Sequence, residues 1–463
     1  MKLFRKFYWY SSAFLSKHWK TLFAAVLAGI IIFQLIFKLL PSFIPTKKML
    51  YIGRIGTFTI SSLPLDIQKK ISDGLTAIGP QGQPLAALAE RWSVEDDGKT
   101  FRFVLRKNIK WQDGKEVTPE DIVYNFSDTE LHRSEQEVVF KLKDMFVPFP
   151  IVVSQPIFRE ENGKIIGTGK YWVRNIVKNG SNIKEFHIES LEEQIVYRFF
   201  PTEETLVLAF KRGDVDVMED LSSDNGLEQE KNTFVYPQVR KDRYAALFFN
   251  LENPLFDKNI RLALNYALKK SEGDERSVGP LSSSSWAYNK TVKSYEKDIE
   301  KAVEFMLRAV PKQKIVLELT TAAQFLQLAE LVKSEWEEFG HEAQQACENS
   351  KEIKEKQDCA NLAMEVQLRI SNFPDLQNYQ VLLVGQQLPP DPDQYSLWHS
   401  TQNTNFTHYK SPKVDKLLED GRKALDQEER KVIYGDFQQY LVEDSPAIFL
   451  NYLTTYLVTR GRL

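Results

Sequence analysis

The side chains able to do covalent or metal chemistry in this 463-residue chain are six histidines, two cysteines and a large set of carboxylates. Their spacing supports neither catalysis nor metal binding. His18, His132, His187, His341, His399 and His408 fall into no ligand spacing, and His341-Glu342 lacks the second histidine that zinc hydrolases require. No Gly-x-Ser-x-Gly elbow occurs. At Gly167-Thr168-Gly169-Lys170-Tyr171 a phosphate loop is ruled out by count. Five residues separate Gly163 from Gly169 where four are needed, and Tyr171 stands where Ser or Thr must follow the lysine. That segment reads as a tight turn into a strand. These absences predict a protein that is not an enzyme and uses no metal or cofactor.

Non-covalent chemistry is better provided for. In QVLLVGQQLPPDPDQYSLWHS, Gln380–Ser400, the first eight residues suit a buried strand. Leu388-Pro389-Pro390-Asp391-Pro392-Asp393 must then leave the sheet, because proline cannot donate to a ladder. Tyr395, Trp398 and His399 follow at once. A strand ending in an acidic turn backed by aromatics makes a wall for a ligand cleft. Cys347 and Cys359 would stand ~18 Å apart on one continuous helix, beyond disulfide reach. Paired, they need a hairpin-like loop between them; both arrangements stay open.

The elements that must position these groups begin with a basic N-terminus. Residues 1–20 carry Lys2, Arg5, Lys6, Lys17 and Lys20 and no acid, and residues 21–40 are apolar over about the thickness of a bilayer core. Lys38 lies near the end, where it can snorkel, and Trp9, Tyr10 and Trp19 suit an interfacial belt. The excess of cations before the span places residues 1–20 in the cytoplasm. No small-x-small site precedes Lys47, which favours an uncleaved single-pass anchor over a signal peptide and puts the rest outside the cell membrane. The remaining chain is too long for one core. A net charge of −3, with 43% apolar and 27% charged residues, is that of an ordinary globular protein with no nucleic-acid partner.

Periodicity predicts a first strand and its exit loop within 49–59, strands at 100–106, 196–199, 244–250 and 315–319, and helices at 85–92, 202–210, 258–269, 295–309, 412–425 and 428–443. A long helix at 323–339 ends at Gly340. Thr118-Pro119-Glu120-Asp121 carries capping-box chemistry and starts a helix with Ile122, Val123 and Phe126 inward. Two strands, 445–450 and 452–458, close the chain. Strand–helix–strand alternation around Gly213-Asp214-Val215-Asp216-Val217 indicates an α/β lobe with parallel pairing.

Several blocks together resemble the extracytoplasmic solute-binding proteins of ABC transporters, oligopeptide/dipeptide-binding branch (family 5). They are LAERWSVEDDGKTFRFVLRKNIKWQDGKEVTPEDIVYNF from Leu88, GTGKYWV, FKRGDVDVM, NPLFDKNIRLALNYAL, VGPLSSSSWAYN, PPDPDQYSLWHS and SPKVDKLLEDGRKALDQEERKVIYGDFQQYLVEDSPAIFL. The resemblance implies an α/β bilobal periplasmic-binding-protein type II fold. Lobe one is 49–250 plus 445–463, with an extra subdomain at 63–150; lobe two is 251–444. The lobes close over a peptide or peptide-like solute and deliver it to ABC permease subunits, with no cofactor. A surface binding or sensory protein of the same fold without a permease is the alternative, suggested by the short Lys269–Ser277 segment. By resemblance, the ligand meets Gln386, Gln387, Asp393, Tyr395, Trp398, Trp286 and Tyr288 in lobe two, and Gly56, Thr57 and Phe58 in lobe one. Relatives that capture a free amino terminus show Trp-x-x-Asp before the acidic turn; here Gly385 and Leu388 occupy those places, leaving Asp391 or Asp393 as the substitutes.

Overall fold

Tyr244-Ala245-Ala246-Leu247-Phe248-Phe249 is fully buried on both faces, as expected of a strand in the middle of a covered sheet. In the computed structural model, which describes residues 2–43, 47–350 and 358–462, it is the second half of a 17-residue strand, Thr233–Phe249. That strand pairs along nearly its whole length with the last strand, Ala447–Arg460, from Thr233↔Arg460 to Phe248↔Ala447. The register slips between Arg240 and Tyr244, where Lys241, Asp242 and Arg243 have no partner in the last strand.

These two strands sit in the middle of a ten-stranded mixed sheet. On one side lie Val217–Leu221 and Lys48–Ile55, paired in parallel at Ile52↔Val217. On the other lie Val381–Gln387, antiparallel to Arg243–Phe249, then Ile315–Thr321 and Met364–Ile370 in parallel. One buried cluster, on Ile52, Ile67, Phe186 and Tyr197, and a smaller one on Leu206, Phe210 and Met218 serve the first side. A larger cluster, on Phe248, Leu264, Trp336, Trp398 and Phe437, serves the second. The chain therefore crosses between two lobes twice. A separate four-stranded antiparallel sheet has its own core of Phe101, Phe103, Phe140 and Phe149.

Several expected elements differ. Leu85–Trp92 is extended, although its residues favour helix: Ala89–Glu95 pairs with Thr100–Leu105, and that ladder overrides local propensity. The capping box at Thr118 does form, with Thr118 N donating to Asp121 at 2.8 Å, but it nucleates only one turn. Past the turn the backbone of Ile122 is extended, and the Arg133 side chain donates to the carbonyls of Pro119 and Ile122 at 3.0 and 2.9 Å. Gly340 does not end its helix, which runs Leu326–Asn349; an added Cβ would lie 2.6 Å from Met364 N, so glycine allows helix and strand to touch. The helix expected from Tyr295 starts at Ile299, behind an Asp298 cap. The two closing strands are one.

Cys347 and Cys359 are disulfide-bonded, with Cα atoms 5.6 Å apart. The loop expected between them falls on residues 351–357, outside the described residues. The N-terminal helix, Lys2–Phe43, includes a stretch, Phe14–Gln34, long and apolar enough to cross a membrane.

Candidate functional site

Where the crossing strands slip register, charged residues precede the fully buried run Tyr244–Phe249 and line a cavity of about 670 Å³. Gln238, Arg240, Asp242 and Arg243 come from the long strand; Arg54 and Phe58 from the first strand and its exit; Asp66 and Lys69 from the helix Leu65–Ile71; and Glu219 and Asp220 from Val217–Leu221. Gln387, last residue of Val381–Gln387, completes the wall. Arg54 contacts Asp66 at 2.6 Å, Asp220 at 2.9 Å and Glu219 at 3.5 Å. Arg240 donates to Asp220 and to both oxygens of Asp242, at 2.9 and 3.1 Å. Arg243 reaches Asp242 only at 3.7 Å.

Electrostatics follow from this crowding. Burial alone would lower the Arg54 guanidinium, but Asp66, Glu219 and Asp220 outweigh it and hold it above its ordinary value. Burial raises Glu219, and Arg54 only partly offsets this because Asp66 and Asp220 stand close. Burial would raise Asp242 too, yet its hydrogen bonds from Arg240 bring it below the usual carboxylate range.

A smaller cavity of about 180 Å³ shares Asp242 and is lined by residues 79–82, by Ser282, Ser284 and Ser285, and by Leu388, Pro389, Pro390 and Pro392. Here a first-lobe turn meets the second lobe. Trp286 N donates to Gln81 O at 3.0 Å, and Gly82 lies against the Pro390 carbonyl.

Of the residues singled out from sequence, Phe58 and Gln387 line the large cavity. Gly56 and Thr57 belong to the same exit loop; Gly56 N donates to Phe200 O at 2.8 Å and Thr57 is exposed. Gln386 alternates to the other face and donates to the Gln387 carbonyl at 3.0 Å. Trp286 and Tyr288 are half-buried beside the smaller cavity's serines, with Trp286 beneath Arg430 at 5.3 Å and the Tyr288 hydroxyl pushed up by burial.

Asp393, Tyr395 and Trp398 are not on the cavity. Arg422 pairs with Asp393 at 2.8 Å, and Asp393 also accepts from Tyr395 N at 3.0 Å. Burial pushes its carboxyl up despite the arginine. Tyr395 is stacked between His399, 4.1 Å away, and Arg422, 3.9 Å away. Trp398 is fully buried between Phe248 and Tyr409. Asp391 is held by Arg430 in a two-pronged pair at 2.8 and 3.2 Å. Both carboxylates of the acidic turn are thus paired with arginines, while Leu388, Pro389, Pro390 and Pro392 of the same turn line the smaller cavity. Leu388 is buried and donates its N–H to Asp242 O at 2.8 Å. At Gly385 a Cβ would come within 3.1 Å of the Phe325 ring, so Phe325 takes the room a large side chain there would need.

One backbone feature lies beside the large cavity. Ile315–Thr321 pairs with Val381–Leu383 only, so beyond Leu383 that edge lacks a strand neighbour among the described residues. The Leu383 carbonyl, bonded to Thr321 at 3.0 Å, points to that edge. By alternation Gly385 and Gln387 present their backbone groups there too. The cavity arginines and acids were missed from sequence. Their signal was Val239-Arg240-Lys241-Asp242-Arg243, four charges inside a strand whose continuation is fully apolar.

The two long paired strands thus carry a polar cavity where their register slips. The chain belongs to the bacterial extracellular solute-binding proteins, family 5, whose model matches residues 83–134 and 132–405. Proteins of this family bind solutes, so the chain is a binding protein and not an enzyme. It is 24% identical over 478 residues to the oligopeptide-binding protein AppA of Bacillus subtilis, covering 88% of this chain and 87% of that protein. Among solved structures it is similar to AppA in complex with a nonapeptide, with TM-score 0.64, 21% identity, and 90% of this chain and 95% of that one covered. It is also similar to NikZ from Campylobacter jejuni in complex with Ni(L-His), with TM-score 0.68, 22% identity, and 89% and 94% covered.

Proposed function

We propose that the protein captures peptides or peptide-like solutes in the 670 Å³ cavity and delivers them to an ABC importer from outside the cell membrane, where the N-terminal helix anchors it with residues 1–20 in the cytoplasm. The observation that carries this reading is the unpaired edge at Gly385 and Gln387 opening beside a polar cavity. An extended peptide added to such an edge gains main-chain hydrogen bonds without its sequence being read. Lobe one is 49–250 with 445–463 and lobe two 251–444, with the subdomain at 63–150 acting with lobe one. Peptide is favoured over a metal complex because no histidine lines the cavity among the described residues and no group of three His, Cys, Asp or Glu there is placed to hold a metal ion. Native mass spectrometry of the full chain, purified from its own membranes in detergent, tests this. A ladder of bound peptide masses is the expected result; a chain that stays empty after incubation with a peptide digest contradicts it.

A further inference from the structure

The acidic turn is fastened from behind. Arg422, near the end of the helix Pro412–Lys423, pairs with Asp393 at 2.8 Å and lies 3.9 Å from the Tyr395 ring, both within lobe two. The same guanidinium lies 5.4 Å from the ring of Phe146, and the Arg422 carbonyl accepts from Val147 N at 2.9 Å. Phe146 and Val147 follow Glu137–Leu142, the last strand in chain order of the four-stranded sheet. One residue therefore grips lobe two on one side and the subdomain on the other. Beside it Leu425 lies over Gly98, where an added Cβ would stand 3.4 Å from the Leu425 side chain. On the front, the smaller cavity has one wall from residues 79–82 of the subdomain and another from Leu388, Pro389, Pro390 and Pro392 of the turn. Arg422 joins the supports of both walls, yet none of Arg422, Phe146 and Val147 lines this cavity or the larger one.

We propose that Arg422 is a positioning residue for solute capture: through Phe146 and Val147 it latches the subdomain to the acidic turn, and so sets how firmly the site is held shut over a guest. This rests on the reading of the chain as a two-lobed capture protein. Phe146, Val147 and Arg422 are half-buried and Leu425 is exposed, so the contact is partly polar and open to water. Such a contact can part and re-form, unlike a large apolar interface. Parting it loses the guanidinium–ring contact, while water takes over the Val147 N–H and the Arg422 carbonyl, so the closed form is favoured only modestly. Guest affinity then scales with the closed fraction, although no latch atom touches the guest.

Single-molecule fluorescence transfer on the full chain in detergent tests this, with dyes on Lys107→Cys in the subdomain and Glu428→Cys in lobe two, both exposed positions. Cys347 and Cys359 are held in their disulfide and take no dye. Phe146→Leu and Arg422→Lys each remove the flat contact, the second while keeping a cation opposite Asp393. Leu425→Ser, at an exposed position, is a third variant that should fold like the parent. Each should lower the closed-to-open ratio by about twofold to fivefold, and raise by a similar factor the amount of peptide digest that closes half the molecules. A ratio unchanged in all three variants, even where the urea midpoint falls, overturns the latch, since the contact is then plain packing. A single distance in the unaltered chain overturns it too. If the variants shift the ratio but the peptide digest never does, the latch stands and peptide capture falls instead.

Discussion

Asp391 and Arg430 are both nearly inaccessible, and the guanidinium also donates to Gly421 O at 2.8 Å. Burial alone would lower Arg430, but Asp391 outweighs it and holds it above its ordinary value. Removing one partner leaves the other buried and unpaired. Asp391→Asn should therefore destabilise the protein by about 3–5 kcal/mol, read as a lower urea midpoint with an unchanged slope. Lys270 presents the opposite case. It is buried, its amine donates to Asn265 O, and burial followed by the Arg276 charge pushes it down to about 7, with Glu296 and Glu335 only partly opposing. Its ordinary value is 10.5, so between pH 7 and 10.5 the unfolded chain binds the extra proton and stability rises with pH. Below 7 the whole burial cost is carried. Lys270→Met should raise Tm at pH 6 and flatten the rise toward pH 10; a thermal series with the same slope in both proteins would contradict this. Residue types made the acidic turn legible, but which arginines would claim it was not, because Arg422 and Arg430 lie 29 and 39 residues beyond their partners.

At the scale of elements, strands with strong alternation were legible and helices were overread. TFRFVLR was placed because Phe101, Phe103 and Leu105 share a buried face. The Leu85–Trp92 error arose because a sheet partner, absent from any local window, decides its state. Gly340 is the more instructive miss: glycine after an apolar helix reads as a stop, yet it marks a close approach. Gly340→Ala should cost about 1–3 kcal/mol, because the methyl group meets the Met364 backbone. Gly435→Ala, inside Gln427–Asp444 with Asn289 no nearer than 3.6 Å, should instead stabilise by about 0.5–1 kcal/mol. Urea melts of the two variants side by side check the contrast; equal shifts would show that the Gly340 contact carries no strain.

For the whole molecule, the paired strands Thr233–Phe249 and Ala447–Arg460 form a seam through the middle of the ten-stranded sheet, and the charged slip at Lys241–Arg243 lies on it. The bilobal plan was legible from ordered sequence blocks, whereas the cavity was not, since it assembles five strands and a helix from residues 54 to 457. The central claim is that a solute lodges at this seam along the free edge. Hydrogen–deuterium exchange of the full chain, with and without a peptide digest, tests it most directly. The account predicts new protection in the fragments carrying Arg240–Arg243 and Gly385–Gln387. Binding that leaves both fragments unchanged and protects another surface would contradict it.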